Sequence, residues 1–146
     1  MKRLLVLLLA LLLFTTSAYA ADSLSESVVR VTTTQTQVTL TCVADTDGSF
    51  SETTDWPLQG YLVLAQSDPG TVTPTADYDI AINNADGVDL MGGAMDDRGY
   101  TPTERARPKV SNSYGPVAVN GPVTVVWTGN TADSAEVVIT LYYYTF

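Results

Sequence analysis

Short runs in which apolar and polar residues alternate are the feature that most restricts how this chain can fold. In the run VTLTCVA, Val38, Leu40 and Cys42 fall on one side of an extended backbone, and the threonines between them fall on the other. The same two-residue period recurs in DYDIAI, and turn-forming clusters such as DTDG, DPG and NNADG separate the runs. Because the chain after residue 20 carries almost no helical period, it predicts an all-β protein.

The spacing of these runs predicts seven or eight strands packed as a single antiparallel β-sandwich. We expect strands at residues 28–34, 36–44, 58–67 (a central strand, near-continuously apolar at 61–65) and 77–82, a short strand in VDLMG, and two more in PVTVVWTG and SAEVVITLYYYTF. The segment GNTADS is predicted to join the last two strands as a hairpin loop. Gly, Pro and charged residues make residues 92–116 the least regular part, and we expect a long loop there with one helical turn near residues 93–97.

The first 20 residues have the three parts of a secretory signal peptide. Lys2 and Arg3 form a positive start, residues 4–14 are an unbroken apolar run, and Ala18 and Ala20 form the A-x-A pattern that precedes cleavage. We therefore predict a signal peptide at residues 1–20, a β-sandwich domain at residues 21–146, and export to the periplasm or the extracellular space. An uncleaved anchor is the alternative, although the run is shorter than the roughly 20 residues that cross a bilayer.

Charge and cysteine content narrow the possible partners. Without the predicted leader the chain keeps five basic and sixteen acidic residues, a net charge of −11, which repels phosphate backbones and argues against nucleic acid as a partner. No stable membrane insertion is expected once the apolar run is removed. Cys42 stands alone, so it predicts a buried apolar role, with an intermolecular disulfide as the alternative.

The residue types that most often carry catalysis are scarce. The sequence contains no histidine, which excludes Ser-His-Asp and Cys-His nucleophile arrangements and histidine-bearing zinc sites. It also lacks the GxxxxGK[ST] and GxGxxG loops that bind nucleotides. We therefore predict a protein that is not an enzyme and has no catalytic residues and no cofactor.

Two groups of carboxylates have the residue types of a calcium site. Asp45, Asp47 and Glu52 lie in DTDGSFSE, where the spacing of an EF-hand is not met, and Asp86 and Asp89 lie around the next Asp-Gly pair. The alternative in both places is a turn between strands in which glycine adopts a positive φ.

Aromatic residues are the other candidates for binding. Trp56 lies in a polar connection, and Tyr142, Tyr143 and Tyr144 follow one another near the C-terminus, where neighbours on a strand must point to opposite faces. Strand aromatics mostly fill the core or pair across strands. The exposed members of this group predict an interaction surface, either a contact between subunits or a platform for a carbohydrate.

The segment GYLVLAQSDPGTVTPTADYDIAINNADGVDLMGGAMDDR resembles a group of small proteins encoded among tailed-phage structural genes. Their shared pattern is roughly P-T-x-x-Y-D-I-x-[IL]-x-[DN]-x-D-G-V-D-[VL]-x-G-G-x-x-x-x-R, followed by a GPVAVNGPVTVVWTGN segment and a final strand ending in L-Y. The resemblance covers residues 60–142. It implies a small β-rich virion component of the head or tail surface, without enzyme activity, and carries over no functional residues. The leader departs from this pattern, because virion components normally assemble in the cytoplasm.

These observations lead to two expectations about function. The first is an exported structural or interaction module of phage-like type that assembles with copies of itself or docks on a larger protein assembly. The second is an extracellular carbohydrate-binding or adhesion module, in one version assisted by calcium.

Overall fold

The computed structural model describes residues 21–145, and this part of the chain is all-β, with no helix. Its first two strands correspond to the strands predicted at residues 28–34 and 36–44, but the first one begins and ends earlier, at Ser23 and Arg30. The strands are β1 (Ser23–Arg30), β2 (Gln35–Val43), β3 (Phe50–Thr53), β4 (Leu58–Pro69), β5 (Asp79–Asn83), β6 (Glu104–Ala106), β7 (Lys109–Val110), β8 (Ser113–Tyr114), β9 (Val117–Gly121), β10 (Thr124–Thr128) and β11 (Glu136–Tyr144).

The strands form antiparallel sheets of six, three and two strands. The larger sheet has the order β1-β2-β11-β4-β6, with β9 pairing the first half of β4 beside β6, and it curls into a half-barrel. The smaller sheet has the order β3-β10-β5, and β7 and β8 form a two-stranded ribbon. β4 is an interior strand with partners on both sides, as its near-continuous apolar sequence predicts.

One hydrophobic core receives side chains from both main sheets. Val38, Leu40 and Cys42 of β2 are fully buried, which confirms the face predicted from their alternation. Burial raises the pKa of the Cys42 thiol, so this cysteine behaves as a small apolar residue. Ile80 and Ile82 of β5 belong to the same buried cluster, which identifies it as the shared core of the two sheets.

Aromatic side chains fill the smaller sheet's side of the core. The Trp127 ring stacks on Phe50 with ring centroids 4.8 Å apart and meets the edge of Tyr78 at 6.2 Å. The Tyr78 hydroxyl, the Ser67 hydroxyl and the Trp127 indole nitrogen are buried without a hydrogen-bond partner among residues 21–145. Burial, and secondarily the Glu104 carboxylate, raises the pKa of Tyr78 to about 12.

The connection between β10 and β11 differs from the predicted hairpin loop. β10 pairs with β3 and β5, whereas β11 pairs with β2 and β4, so residues 129–135 carry the chain from one sheet to the other. The buried Asn130 side chain holds this crossover: its amide nitrogen donates to the Gly48 carbonyl at 2.7 Å, and its oxygen accepts from the Thr75 amide at 2.9 Å. These contacts join residues far apart in sequence, which local periodicity does not reveal.

The segment after β5 forms neither the predicted short strand nor a helical turn. Asp89 makes only an isolated bridge with Asn83, and successive i→i+3 turns follow as far as Asp96. The segment then returns along the outer edge of β5, where Ile80 donates to the Met95 carbonyl at 3.0 Å. This segment therefore covers one edge of the smaller sheet.

The prediction of an all-β antiparallel fold is confirmed. The predicted number of seven or eight strands is not confirmed, because residues 21–145 form eleven; three of these, the short β6, β7 and β8, lie within residues 92–116, where the sequence predicts a long loop. The predicted signal peptide at residues 1–20 lies outside the described residues. Between residues 21 and 145 the fold includes no helix long and apolar enough to span a membrane.

Candidate functional site

The three consecutive tyrosines are divided between the two faces of the larger sheet. The β4–β11 pairing shifts register between Tyr142 and Tyr143, and Tyr143 then pairs with Leu62, which is also buried. Tyr143 is only 3% exposed and belongs to the core, so the prediction that it forms part of the exposed interaction surface is wrong. Tyr142 is half-buried and Tyr144 is 46% exposed, and both lie on the outer face.

Neighbouring strands add further apolar groups beside these two tyrosines. Tyr144 is paired with Tyr61 of β4, itself 47% exposed, and Tyr142 is paired with Leu64. On the other side, β2 places glutamine side chains opposite both tyrosines. We call this surface the tyrosine face and define it by Gln35, Gln37, Tyr61, Leu64, Tyr142 and Tyr144.

A close approach of two backbones shapes the end of the tyrosine face. Gly60 has a φ of +152°, and a Cβ atom at this position would overlap the Tyr144 carbonyl oxygen. Only glycine therefore lets the end of β11 pack this closely on β4. The position of Tyr144 depends on this contact, which the alternation of apolar and polar residues does not predict.

Charge is distributed unevenly over the outer face of the larger sheet. Its carboxylates, Asp68 and Glu136, are paired with Val138 and Val43 at the end far from the tyrosines. The strand-pair rows that contain Thr140, Tyr142 and Tyr144 carry no aspartate or glutamate from β2, β4 or β11. In a domain with a net charge of −11, this makes the tyrosine face the region of the sheet that repels an acidic partner least.

A depression of about 370 Å³ lies beside Tyr144. The Arg107 and Tyr114 side chains line it together with Val63, Leu64 and Pro116, and Tyr114 is 66% exposed. Arg107 and Tyr114 lie in the irregular part of the sequence, which offered no signal that they would meet Tyr144. The depression adds a cationic group to the border of the tyrosine face.

Trp56, the other aromatic residue predicted to bind, lies at a different place. It is 49% exposed and lines a groove between β1 and the β3–β4 connection, on the core-facing side of β1. The main part of this groove has a volume of about 420 Å³, and the buried residues Thr36 and Tyr143 lie at its inner end. We call it the edge groove; its other lining residues are Leu24, Glu26, Val28, Arg30, Asp55, Pro57, Gln59 and Thr145.

Two carboxylates attach β1 to neighbouring segments: Glu26 within the strand, which lines the edge groove, and Asp22 just before the strand. Glu26 accepts hydrogen bonds from the backbone amides of Asp55 at 2.6 Å and Trp56 at 3.1 Å. Asp22 accepts in the same way from the amides of Asp45 at 3.1 Å and Ser51 at 2.7 Å. Since Ser51 belongs to β3, these bonds attach the edge of the larger sheet to the edge of the smaller one.

The first predicted calcium group is occupied by bonds within its own loop. The Asp47 amide donates to the Asp45 carboxylate at 2.9 Å, and the Ser49 amide donates to the Asp47 carboxylate at 2.8 Å. Hydrogen bonding from Ser49 holds the pKa of Asp47 below its usual value. Glu52 lies on β3, opposite Val125, and is not among these bonds.

The second predicted calcium group is divided in a similar way. The Asp89 carboxylate accepts from the amides of Ile82 at 3.1 Å, Met91 at 2.9 Å and Gly93 at 2.8 Å, whereas Asp86 is exposed in the turn. Desolvation and the nearby carboxylates of Asp79, Asp89 and Asp97 raise the pKa of Asp96. Among residues 21–145, no three Asp, Glu, Cys or His side chains are grouped to hold a metal ion.

Comparison with known proteins identifies no relative of this chain. No protein-family model, no curated protein and no solved structure matches the chain. The features that bear on function are therefore the tyrosine face, the edge groove and the charge distribution.

Proposed function

We propose that this protein is an exported, non-enzymatic structural module that associates with copies of itself through the tyrosine face. In this proposal a signal peptide at residues 1–20 directs export, and residues 21–146 form the associating domain. The larger and smaller sheets pack face to face as one β-sandwich, which is supported by the core that they share. The resemblance to tailed-phage structural proteins supports a role on the surface of a virion head or tail, or on a similar assembly.

The tyrosine face is the observation that carries this proposal. Tyr61 and Tyr144 are close to half exposed on adjacent strands, and half-buried Tyr142 and Leu64 continue the same apolar surface. Aromatic residues are enriched in the centres of protein interfaces, where their large area is removed from water. Copies with a net charge of −11 repel each other, so a carboxylate-free surface is the one best able to meet its own copy.

A charge placed in the tyrosine face tests the proposal. We expect Tyr144→Asp to lower the average mass of the 21–146 protein in light scattering, because each contact would then bury an unpaired carboxylate. Tyr100→Asp is the matched control, since Tyr100 is 49% exposed and does not line the depression beside Tyr144. Equal masses for the two variants would count against the tyrosine face as the contact.

The edge groove favours a second function, carbohydrate binding or adhesion. Trp56 offers an exposed ring for stacking on a sugar, and Arg30 and Gln59 add hydrogen-bond donors along the same groove. Glycan-array binding that is lost in Trp56→Ala and kept in Tyr100→Ala would support this function. Glycan binding that survives Trp56→Ala would show that Trp56 in the edge groove does not bind the sugar.

A further inference from the structure

β1 differs from every other sheet edge of the described chain. It is eight residues long, whereas the other edge strands, β3, β5, β6 and β9, have five residues or fewer. Its pairing with β2 is regular from Ser23 to Arg30, with no bulge, and it contains no proline or lysine. Its length and regularity leave the backbone groups of the outer edge able to pair with another strand, and the charges that it carries, Glu26 and Arg30, are opposite in sign.

Arg30 is a cation without a partner at this edge. In residues 21–145 the acidic groups far outnumber the basic ones, yet the one ion pair there joins Arg98 to Glu104 at 3.9 Å. Arg30 lies on the same face of β1 as Glu26 and Val28, because all three alternate along the strand. On an extended strand, a separation of four residues places Glu26 about 13 Å from Arg30, too far for a pair within one chain.

We propose that a second copy of this chain pairs antiparallel with β1, in a register that sets Val28 opposite Val28. This register keeps the core-facing sides of both copies on the same side of the joined sheet. It also sets Glu26 of each copy opposite Arg30 of the other, so the same ion pair forms twice by symmetry. No other register brings these two residues opposite each other.

The pairing is compatible with the other contacts of β1. Glu26 already accepts two backbone amides, and a carboxylate has room for a further donor from the partner's guanidinium. Joining two copies at β1 makes one continuous sheet, on which the two tyrosine faces lie on the same side. The inference rests on the proposed self-association and adds the site and register of one contact.

Cysteine cross-linking tests the register. Directly opposite residues of an antiparallel pair have Cβ atoms about 4.5–5.5 Å apart, close to the separation of a disulfide. We expect Val28→Cys in the 21–146 protein to form a covalent dimer under mild oxidation. Val29→Cys is the control, because Val29 is exposed but lies opposite Ser27 in this register, and buried Cys42 does not compete.

Charge exchange gives a second readout. We expect Arg30→Glu to weaken association about tenfold, because two attractive pairs become repulsive, and Arg30→Lys to keep it, because the positive charge remains and Glu26 is untouched. Equal cross-linking at positions 28 and 29, or none at position 28 in a protein that still associates, would overturn the β1 register and leave the proposed function in place. A wild-type protein that stays a monomer at all concentrations would overturn both.

Discussion

The Glu26 carboxylate accepts a hydrogen bond from the backbone amide of Trp56 at 3.1 Å, across 30 positions of sequence. Together with the Asp55 amide, this contact ties the β3–β4 connection to β1 and sets the place of the exposed Trp56 side chain. The edge strand of one sheet thus positions a candidate binding residue that belongs to a loop.

Removal of the Glu26 carboxylate should destabilise the fold. We expect Glu26→Ala to lower the free energy of unfolding by about 2 kcal/mol, because two backbone amides lose a charged acceptor. Ser27→Ala is the control, since Ser27 is exposed on the opposite face of β1. Urea denaturation measures both, and equal midpoints would show that the two bonds contribute nothing.

A side chain at Gly60 should disturb the tyrosine face more than a side chain at a turn glycine. We expect Gly60→Ala to cost more than about 2 kcal/mol, because its Cβ would overlap the Tyr144 carbonyl. Gly87→Ala is the control: Gly87 also has a positive φ, of +76°, but open space surrounds it, so about 1 kcal/mol is expected. Thermal unfolding that ranks the two variants in the reverse order would contradict the close contact.

Tyr78 should make the fold sensitive to alkali. Its pKa is about 12 in the folded chain, against an ordinary value of about 10, so above pH 10 the unfolded chain releases a proton that the folded chain retains. Stability is therefore expected to fall between pH 10 and pH 12, by about 2 kcal/mol from this residue.

Tyr78→Phe should remove that part of the pH dependence. The Tyr78 hydroxyl lies near Ser67 but makes no hydrogen bond of good geometry among residues 21–145, so its removal should leave stability at pH 7 unchanged or slightly higher. Urea denaturation at pH 7 and at several alkaline values measures both effects. If the wild-type protein and Tyr78→Phe lose equal stability above pH 10, Tyr78 is not the cause of the loss.

Asp89 should matter for stability in a way that Asp86 does not. We expect Asp89→Ala to cost about 2 to 3 kcal/mol, since three backbone amides lose their acceptor, and Asp86→Ala to cost little because its carboxylate is exposed. Because Asp89 already serves as a backbone cap, we also expect calcium and chelator to give the same melting temperature. A rise with calcium would instead identify a bound ion, since a ligand of the folded state stabilises it.

Periodicity predicted those parts of the fold in which one face of a strand is buried. Val38 and Leu40 of β2 and Ile80 of β5 point to the core as their spacing requires, and the opposite orientations of Tyr142 and Tyr143 follow from the same rule. The candidate site was harder to predict, because it depends on which strands become neighbours.

Contacts between distant segments account for what the sequence did not reveal. β1 begins at Ser23, earlier than its valines suggested, because Asp22 and Glu26 bind backbone amides about 30 residues away. Neither Arg107 nor Tyr114 lies in an alternating run, so nothing local placed them beside Tyr144. The crossover at Asn130 likewise depends on bonds to Gly48 and Thr75.

Self-association is the central claim, and the mass of the 21–146 protein in solution tests it most directly. Light scattering over a range of concentrations should give a mass that rises to a whole-number multiple of a single chain. Higher salt should favour the larger species, because it screens the repulsion between copies with a net charge of −11. A mass that stays at one chain throughout, at low and high salt alike, would contradict the account.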